Sequence, residues 1–163
     1  MNTPSPAWLP QTISYSGDWH TFINVAYSVF EKQLKKYPKP VYRGHIVFHD
    51  NRCLDSREEG FWHLVTRKDR SSGVRLPEVK RAERLTWIRA IIENCGSKDV
   101  TEFDYKEGSG RVRTYLWLRV SDFVVILEKR KQAKTNIAML VTAYCVDNDS
   151  ARKNLERKWN DRL

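Results

Sequence analysis

No proline follows Pro77, the three cysteines include no CxxC pair, and no apolar run approaches the ~18 residues that a membrane-spanning helix needs. Each absence closes off a class. Cys53, Cys95 and Cys145 are odd in number and far apart, which argues against a disulfide framework and against the ligand spacing of a zinc site. The opening "MNTPSPAWLPQT" has neither the basic nor the apolar segment of a secretory leader, so a soluble protein of the reducing cytoplasm, with no membrane partner, is expected. A P-loop, a nucleophile elbow, a carboxylate pair and a metal-ligand cluster are also missing, and no cofactor is expected. His45 and His49 stand four apart, but on a strand that interval spans ~13 Å and does not make a metal pair.

Acidic residues are scarce relative to basic ones. Lysine and arginine number 29 against 20 aspartates and glutamates, for a net charge of +9 and a pI near 9.6. Such an excess points to a polyanionic partner, nucleic acid in preference to an anionic membrane, with solubility alone as the other reading. A chain of 163 residues suffices for one domain with a sizeable core and is short for two. The expected division is residues 1–17 as an arm, extended or disordered by Pro4, Pro6 and Pro10, and 18–163 as a single domain.

Periodicity then predicts the elements. Asp18 caps a helix that buries Phe22, Ala26, Val29 and Phe30, carries Lys35 and Lys36 at its end, and stops at Pro38. "PKPVYRGHIVFHD" reads as a strand. "FWHLVTR" reads as another, with Phe61, His63 and Val65 on one face and Trp62, Leu64 and Thr66 on the other. Taken alone, one histidine among aromatics suggests a packed core imidazole. The basic loop "RKDRSSGVR" follows, and Pro77 opens a long helix that Gly96 closes. "VTEFDYKE", "RVRTYLWLRV", "FVVILEKR" and "NIAMLVTAYCV" alternate as four successive strands, and Ser150 caps a terminal helix. The expected fold class is α+β: N-terminal helices packed on a four-stranded antiparallel β-meander, with a C-terminal helix.

Several residues stand out chemically. At ~100° per residue, the apolar rows of the long helix run back to Arg81 and to Arg84, with Lys80 adjoining. Two guanidiniums on a buried face imply either a carboxylate partner, Glu128 being one choice, or an open anion-binding cleft. In "RVRTYLWLRV", Arg111, Arg113, Tyr115, Trp117 and Arg119 share a face, which suits either phosphate binding with base stacking or burial under the terminal helix. Thr142 and Tyr144 put two hydroxyls on one face of the last strand.

In this order, "FWHLVTR", "KRAERLTWIRAII", "YLWL", "FVVILEK" and "MLVTAYCVD" resemble the phage- and toxin-associated members of the barnase/EndoU/colicin/RelE-like ribonuclease superfamily, from about Val41 to Trp159. The resemblance implies a metal-independent endoribonuclease toxin that cleaves RNA, tRNA or mRNA, through its own 2′-hydroxyl to leave a cyclic phosphate. It implies His63, Arg81 or Arg84, Thr142 and Tyr144 as the catalytic set, and an antitoxin or immunity protein as a partner. The residues agree in kind: His63 titrates near neutrality, and Arg81, Arg84, Lys80 and Arg113 offer fixed cations for a phosphate. Arg67, Lys68 and Arg70 of the basic loop complete the expected RNA contacts. The rival readings are a noncatalytic basic nucleic-acid-binding module in which His63 is core, and an adaptor for an acidic protein.

Overall fold

The computed structural model describes residues 3–163, so Met1 and Asn2 of the expected arm lie outside the described residues. The first helix, α1 (Trp19–Phe30), starts where Asp18 accepts hydrogen bonds from the amides of His20 and Thr21, and it buries Phe22, Ile23, Ala26 and Phe30. A π turn (Glu31–Lys35) follows. Lys39 then closes the end of this turn, its buried Nζ donating to the carbonyls of Leu34 (3.2 Å) and Lys35 (3.0 Å).

The segment expected as one strand is a hairpin, β1 (Val41–Tyr42) and β2 (His45–Phe48). Its two-residue loop is Arg43-Gly44, with φ of 42° and 81°, the left-handed pair that a type I′ turn requires. A small ribbon follows, β3 (Cys53–Leu54) and β4 (Arg57–Glu58). Next come α2 (Glu59–Val65), a second hairpin of β5 (Thr66–Lys68) and β6 (Arg75–Pro77), and then α3 (Val79–Glu83) and α4 (Leu85–Glu93). Four strands, β7 (Val100–Lys106), β8 (Val112–Leu118), β9 (Phe123–Gln132) and β10 (Thr135–Cys145), lead to α5 (Asp149–Asn160), which Asn148 caps, two residues before the expected Ser150.

The fold is α+β, and the four-stranded antiparallel meander is corrected to a mixed six-stranded sheet in the order β1-β2-β10-β9-β8-β7. β7 to β10 pair antiparallel in chain order, but β2 adds to the far edge of β10 in parallel, Ile137 opposite Ile46. Parallel addition by a distant strand leaves no turn in the sequence to announce it.

One further expectation is corrected, and the arm is placed. The long helix is two helices, because Pro77 pairs with Thr66 at the end of β6 and the chain breaks again at Arg84 (φ −93°, ψ 13°). The described part of the arm crosses that break: the Ile13 amide donates to the Glu83 carbonyl (2.8 Å), Thr86 to the Gln11 carbonyl (2.7 Å) and the Trp87 indole to the Pro10 carbonyl (2.9 Å). The arm is thus extended but docked, with Ile13 buried, and it satisfies a carbonyl that the broken helix leaves free.

The two sheet faces carry separate cores. One, built on Leu116, Leu118, Val125, Leu127 and Leu140, packs against α1, α2 and α4. On the other, Phe103, Tyr115, Trp117, Val124 and Ile126 lie under Leu155 and Trp159 of α5. α5 covers only part of this second face.

Candidate active site

His63 lies on α2, and the expected strand through "FWHLVTR" is corrected to a helix. Besides Gly60, the buried positions are Phe61, Leu64 and Val65, spaced i, i+3, i+4, while Trp62 and His63 are half-buried. With seven residues the two periods are hard to tell apart, and Gly60 is what decides the packing. A Cβ at Gly60 would stand 2.9 Å from the Asp50 amide nitrogen, 3.0 Å from the Asp50 carbonyl oxygen and 3.0 Å from the His49 Cβ. This contact lets the Gly60 and Glu59 amides donate to the Asp50 (3.1 Å) and Arg52 (2.7 Å) carbonyls, seating the helix on the segment that carries His49, Asp50 and Arg52.

The other end of α2 is held from behind. Arg81 Nη1 donates to the carbonyls of His63 (3.1 Å) and Thr66 (2.9 Å), a cation at the negative end of a short helix. The expectation that Arg81 and Arg84 face an open cleft is therefore corrected. Arg81 is a half-buried brace for the helix that bears His63. Arg84 donates to the Lys80 carbonyl (2.8 Å) and lies over the Trp87 ring (5.0 Å) at the helix break. Neither pairs with Glu128.

Two clefts meet at His63 and Arg52. The first, of ≈ 580 Å³, has His63 with His49, Asp50 and Arg52 on one wall and Arg111, Arg113, Glu128 and Arg130 on the other. Glu128 is the shared carboxylate of the far wall, with Arg113 at 3.0 Å, Arg130 at 3.0 Å and Arg111 at 3.6 Å. The second cleft, of ≈ 660 Å³, lies between α2 and the β5–β6 hairpin and is lined by Trp19, Leu54, Trp62, His63, Lys68 and Arg75 among others. Burial, and then the positive charge of Arg75, lowers the His63 imidazole below its ordinary range against the opposing pull of Glu59 and Asp50. The shift favours the neutral form of His63, the form that can accept a proton.

Of the other expected site residues, Arg113 faces His63 across the arginine cleft, and Lys68 stands beside it in the tryptophan-lined one. Lys80 pairs with Asp147 (3.3 Å) and Arg67 with Glu78 (3.2 Å), both at the surface. Arg70 is exposed in the turn of the second hairpin. Thr142 and Tyr144 are not among the residues that line either cleft. A bulge between Leu140 and Thr142 breaks the register of β10, and the β10 residues that line the arginine cleft are Met139, Leu140 and Val141. Tyr144 packs instead against the core under α5, where burial, reinforced by Glu107, raises its hydroxyl above the ordinary range.

Sequence reasoning missed Arg52, Arg130 and the role of Glu128. The last two were within reach: a tight β8–β9 turn puts Thr114 opposite Leu127, and one step further out brings Arg113 beside Glu128. Among the described residues no group of three His, Cys, Asp or Glu side chains is arranged to hold a metal ion, and no helix is long and apolar enough to cross a membrane. Compared with protein-family models, with curated proteins and with solved structures, the chain matches none.

Proposed function

We propose that the chain is a cytoplasmic endoribonuclease that cleaves RNA by transesterification without a metal ion, and that the arginine cleft holds the scissile phosphate. The observation that carries this reading is a half-buried imidazole that lines one cleft with three arginines sharing one carboxylate. Neutral His63 takes the proton of the 2′-hydroxyl as that oxygen attacks phosphorus. The bond to the 5′-oxygen then breaks, leaving a 2′,3′-cyclic phosphate and a 5′-hydroxyl. Arg111, Arg113 and Arg130 are fixed donors for the charge that builds on the phosphorane oxygens. With Arg52 they set four cations against Asp50 and Glu128, so the cleft keeps a net positive charge that an RNA phosphate neutralises. An uncontrolled nuclease of this kind harms its host, which supports an antitoxin or immunity protein as partner.

Incubation of the purified protein with total RNA and with tRNA, with and without excess EDTA, tests the reading. Cleavage in EDTA with cyclic-phosphate ends is expected. RNA that is bound and left intact would instead make the chain a noncatalytic basic binding module, and cleavage that needs an added divalent ion would rule out the metal-free route.

A further inference from the structure

We infer that the cleft between α2 and the β5–β6 hairpin is a base-binding subsite, in which a nucleobase of the RNA stacks on Trp62 while Lys68 and Arg75 hold the adjoining phosphate. The inference rests on the reading of the arginine cleft as the phosphate site, and it assigns the RNA a path.

His63 and Arg52 line both clefts. An RNA strand with its scissile phosphate among the arginines must therefore lay a flanking nucleotide on the far side of His63, in the second cleft. That cleft is suited to a base. The Trp62 indole is pinned by its Nε1–H bond to the Leu54 carbonyl at 2.7 Å, and the Trp19 ring is stacked on Phe22 with centroids 5.7 Å apart. Rigid indoles lose little freedom when a base stacks on them, and stacking tolerates any base because each has a π face. Leu54 and Val74 extend the apolar wall while remaining 40% and 56% exposed. At the rim, Lys68 has no carboxylate partner among the described residues, and Arg75 has only the Thr66 hydroxyl at 3.4 Å. The acids of this cleft are Asp55 and Glu59, the latter engaged by Arg52 at 3.1 Å, so Arg52, Lys68 and Arg75 leave it net positive. Apolar walls with free cations at the mouth match a nucleotide, whose base is flat and whose phosphate is anionic. The volume of ≈ 660 Å³ falls within the ~300–1,000 Å³ typical of small-ligand clefts.

The test uses a single-stranded oligoribonucleotide. Its cut site is first mapped with the intact protein, and the nucleotide carrying the attacking 2′-hydroxyl is then replaced by its 2′-deoxy form to block cleavage. Affinity is measured by fluorescence anisotropy for this probe and for a series in which successive bases near the cut site are replaced by abasic residues. One position flanking the cut site should weaken binding to the wild-type chain by roughly tenfold. Trp62→Leu should bind the full probe about tenfold more weakly and show no further loss at that abasic position, whereas Trp62→Phe should keep most of the coupling. Lys68→Ala, a change of an exposed side chain that leaves the core untouched, should weaken binding several-fold and reduce its salt dependence. These last two variants decide the matter should Trp62→Leu fail to fold.

A protein that cleaves RNA but shows no sensitive base position, or whose abasic penalty persists undiminished without the Trp62 indole, overturns the subsite alone. A protein that neither binds nor cleaves the oligoribonucleotide overturns the proposed function and the subsite together.

Discussion

The second face of the sheet has two ends that treat arginine differently. Under α5, each cation has an acid of its own: Arg119 pairs with Glu156, Lys158 with Glu107 at 3.0 Å, and Arg152 with Asp122. The indole of Trp117 lies beneath Arg119 (3.9 Å), and Tyr115 joins Lys158 and Glu107. Beyond the reach of α5, Arg111, Arg113 and Arg130 share Glu128 alone. β8 runs through both ends, so its alternation of arginine with aromatic residues has two explanations, one for each end. Where charges balance, they hold a helix down. Where cations exceed the acid, the structure is set for an anion that the chain does not supply.

The sharpest way to break this comparison is at His63, which faces the unbalanced end. His63→Gln should keep the fold, because glutamine preserves polar contacts at similar size, and should lower the single-turnover cleavage rate by roughly 10²–10⁴-fold with RNA affinity little changed. Normal turnover in a less stable protein would return His63 to the core.

Next in size is a matched pair of charge removals. Arg113→Gln should slow cleavage by up to about 10²-fold, the low end for losing one fixed donor, since Arg111 and Arg130 remain; it should also reduce the slope of log affinity against log salt by about one. Arg119→Gln, at the balanced end, should leave RNA affinity unchanged and cost at most about 1 kcal/mol of stability, read by urea unfolding. Equal effects of the two on RNA binding would erase the distinction between the ends.

Gly60→Ala probes the seat that brings His63 to the cleft. The added Cβ meets backbone atoms of Asp50 and so cannot be relieved by a side-chain rotation. A loss of about 1–3 kcal/mol is expected, visible as several degrees in Tm.

His49 gives the smallest effect at neutral pH. It is 3% exposed, neither ring nitrogen has a partner, and burial, with Lys39 and Lys35 adding to it against Glu58 and Asp50, lowers it to about 4. The unfolded chain binds this proton more tightly. Stability is therefore complete above the ordinary value of 6.5 and falls, by up to ~1.4 kcal/mol per pH unit, as pH drops towards about 4. His49→Leu should flatten that decline in a series of thermal melts while leaving the melting temperature at pH 7 nearly unchanged.

Much of the fold was legible because local signals agreed with tertiary packing. Asp18 caps a helix, Phe22 and Phe30 are core, and the alternating strands from Val100 onward form wherever β-branched and aromatic residues recur with period two. What escaped depends on distance in the chain. The parallel docking of β2 on β10, the arm laid over the α3–α4 break and the approach of Gly60 to Asp50 are contacts between segments with no shared pattern. At the site, His63 and Arg113 were visible as residue types. Regular helical periodicity pointed Arg81 to the cleft and the break after Glu83 interrupts it, while the resemblance pointed Thr142 and Tyr144 there from one strand face, upstream of which the β10 bulge shifts the register. Trp62 and Arg52 gave no signal until α2 turned out to be a helix.

The most direct test is the pH dependence of single-turnover RNA cleavage in excess EDTA, for the wild-type chain and His63→Gln. With a neutral His63 as base, the wild-type rate should be level around pH 7 and fall tenfold per pH unit only on an acid limb lying below the ordinary imidazole range. The residual rate of His63→Gln should lack that limb. An identical limb in the variant, or cleavage that disappears with chelator and returns with a divalent ion, would contradict the assignment of His63 as the group that moves the proton.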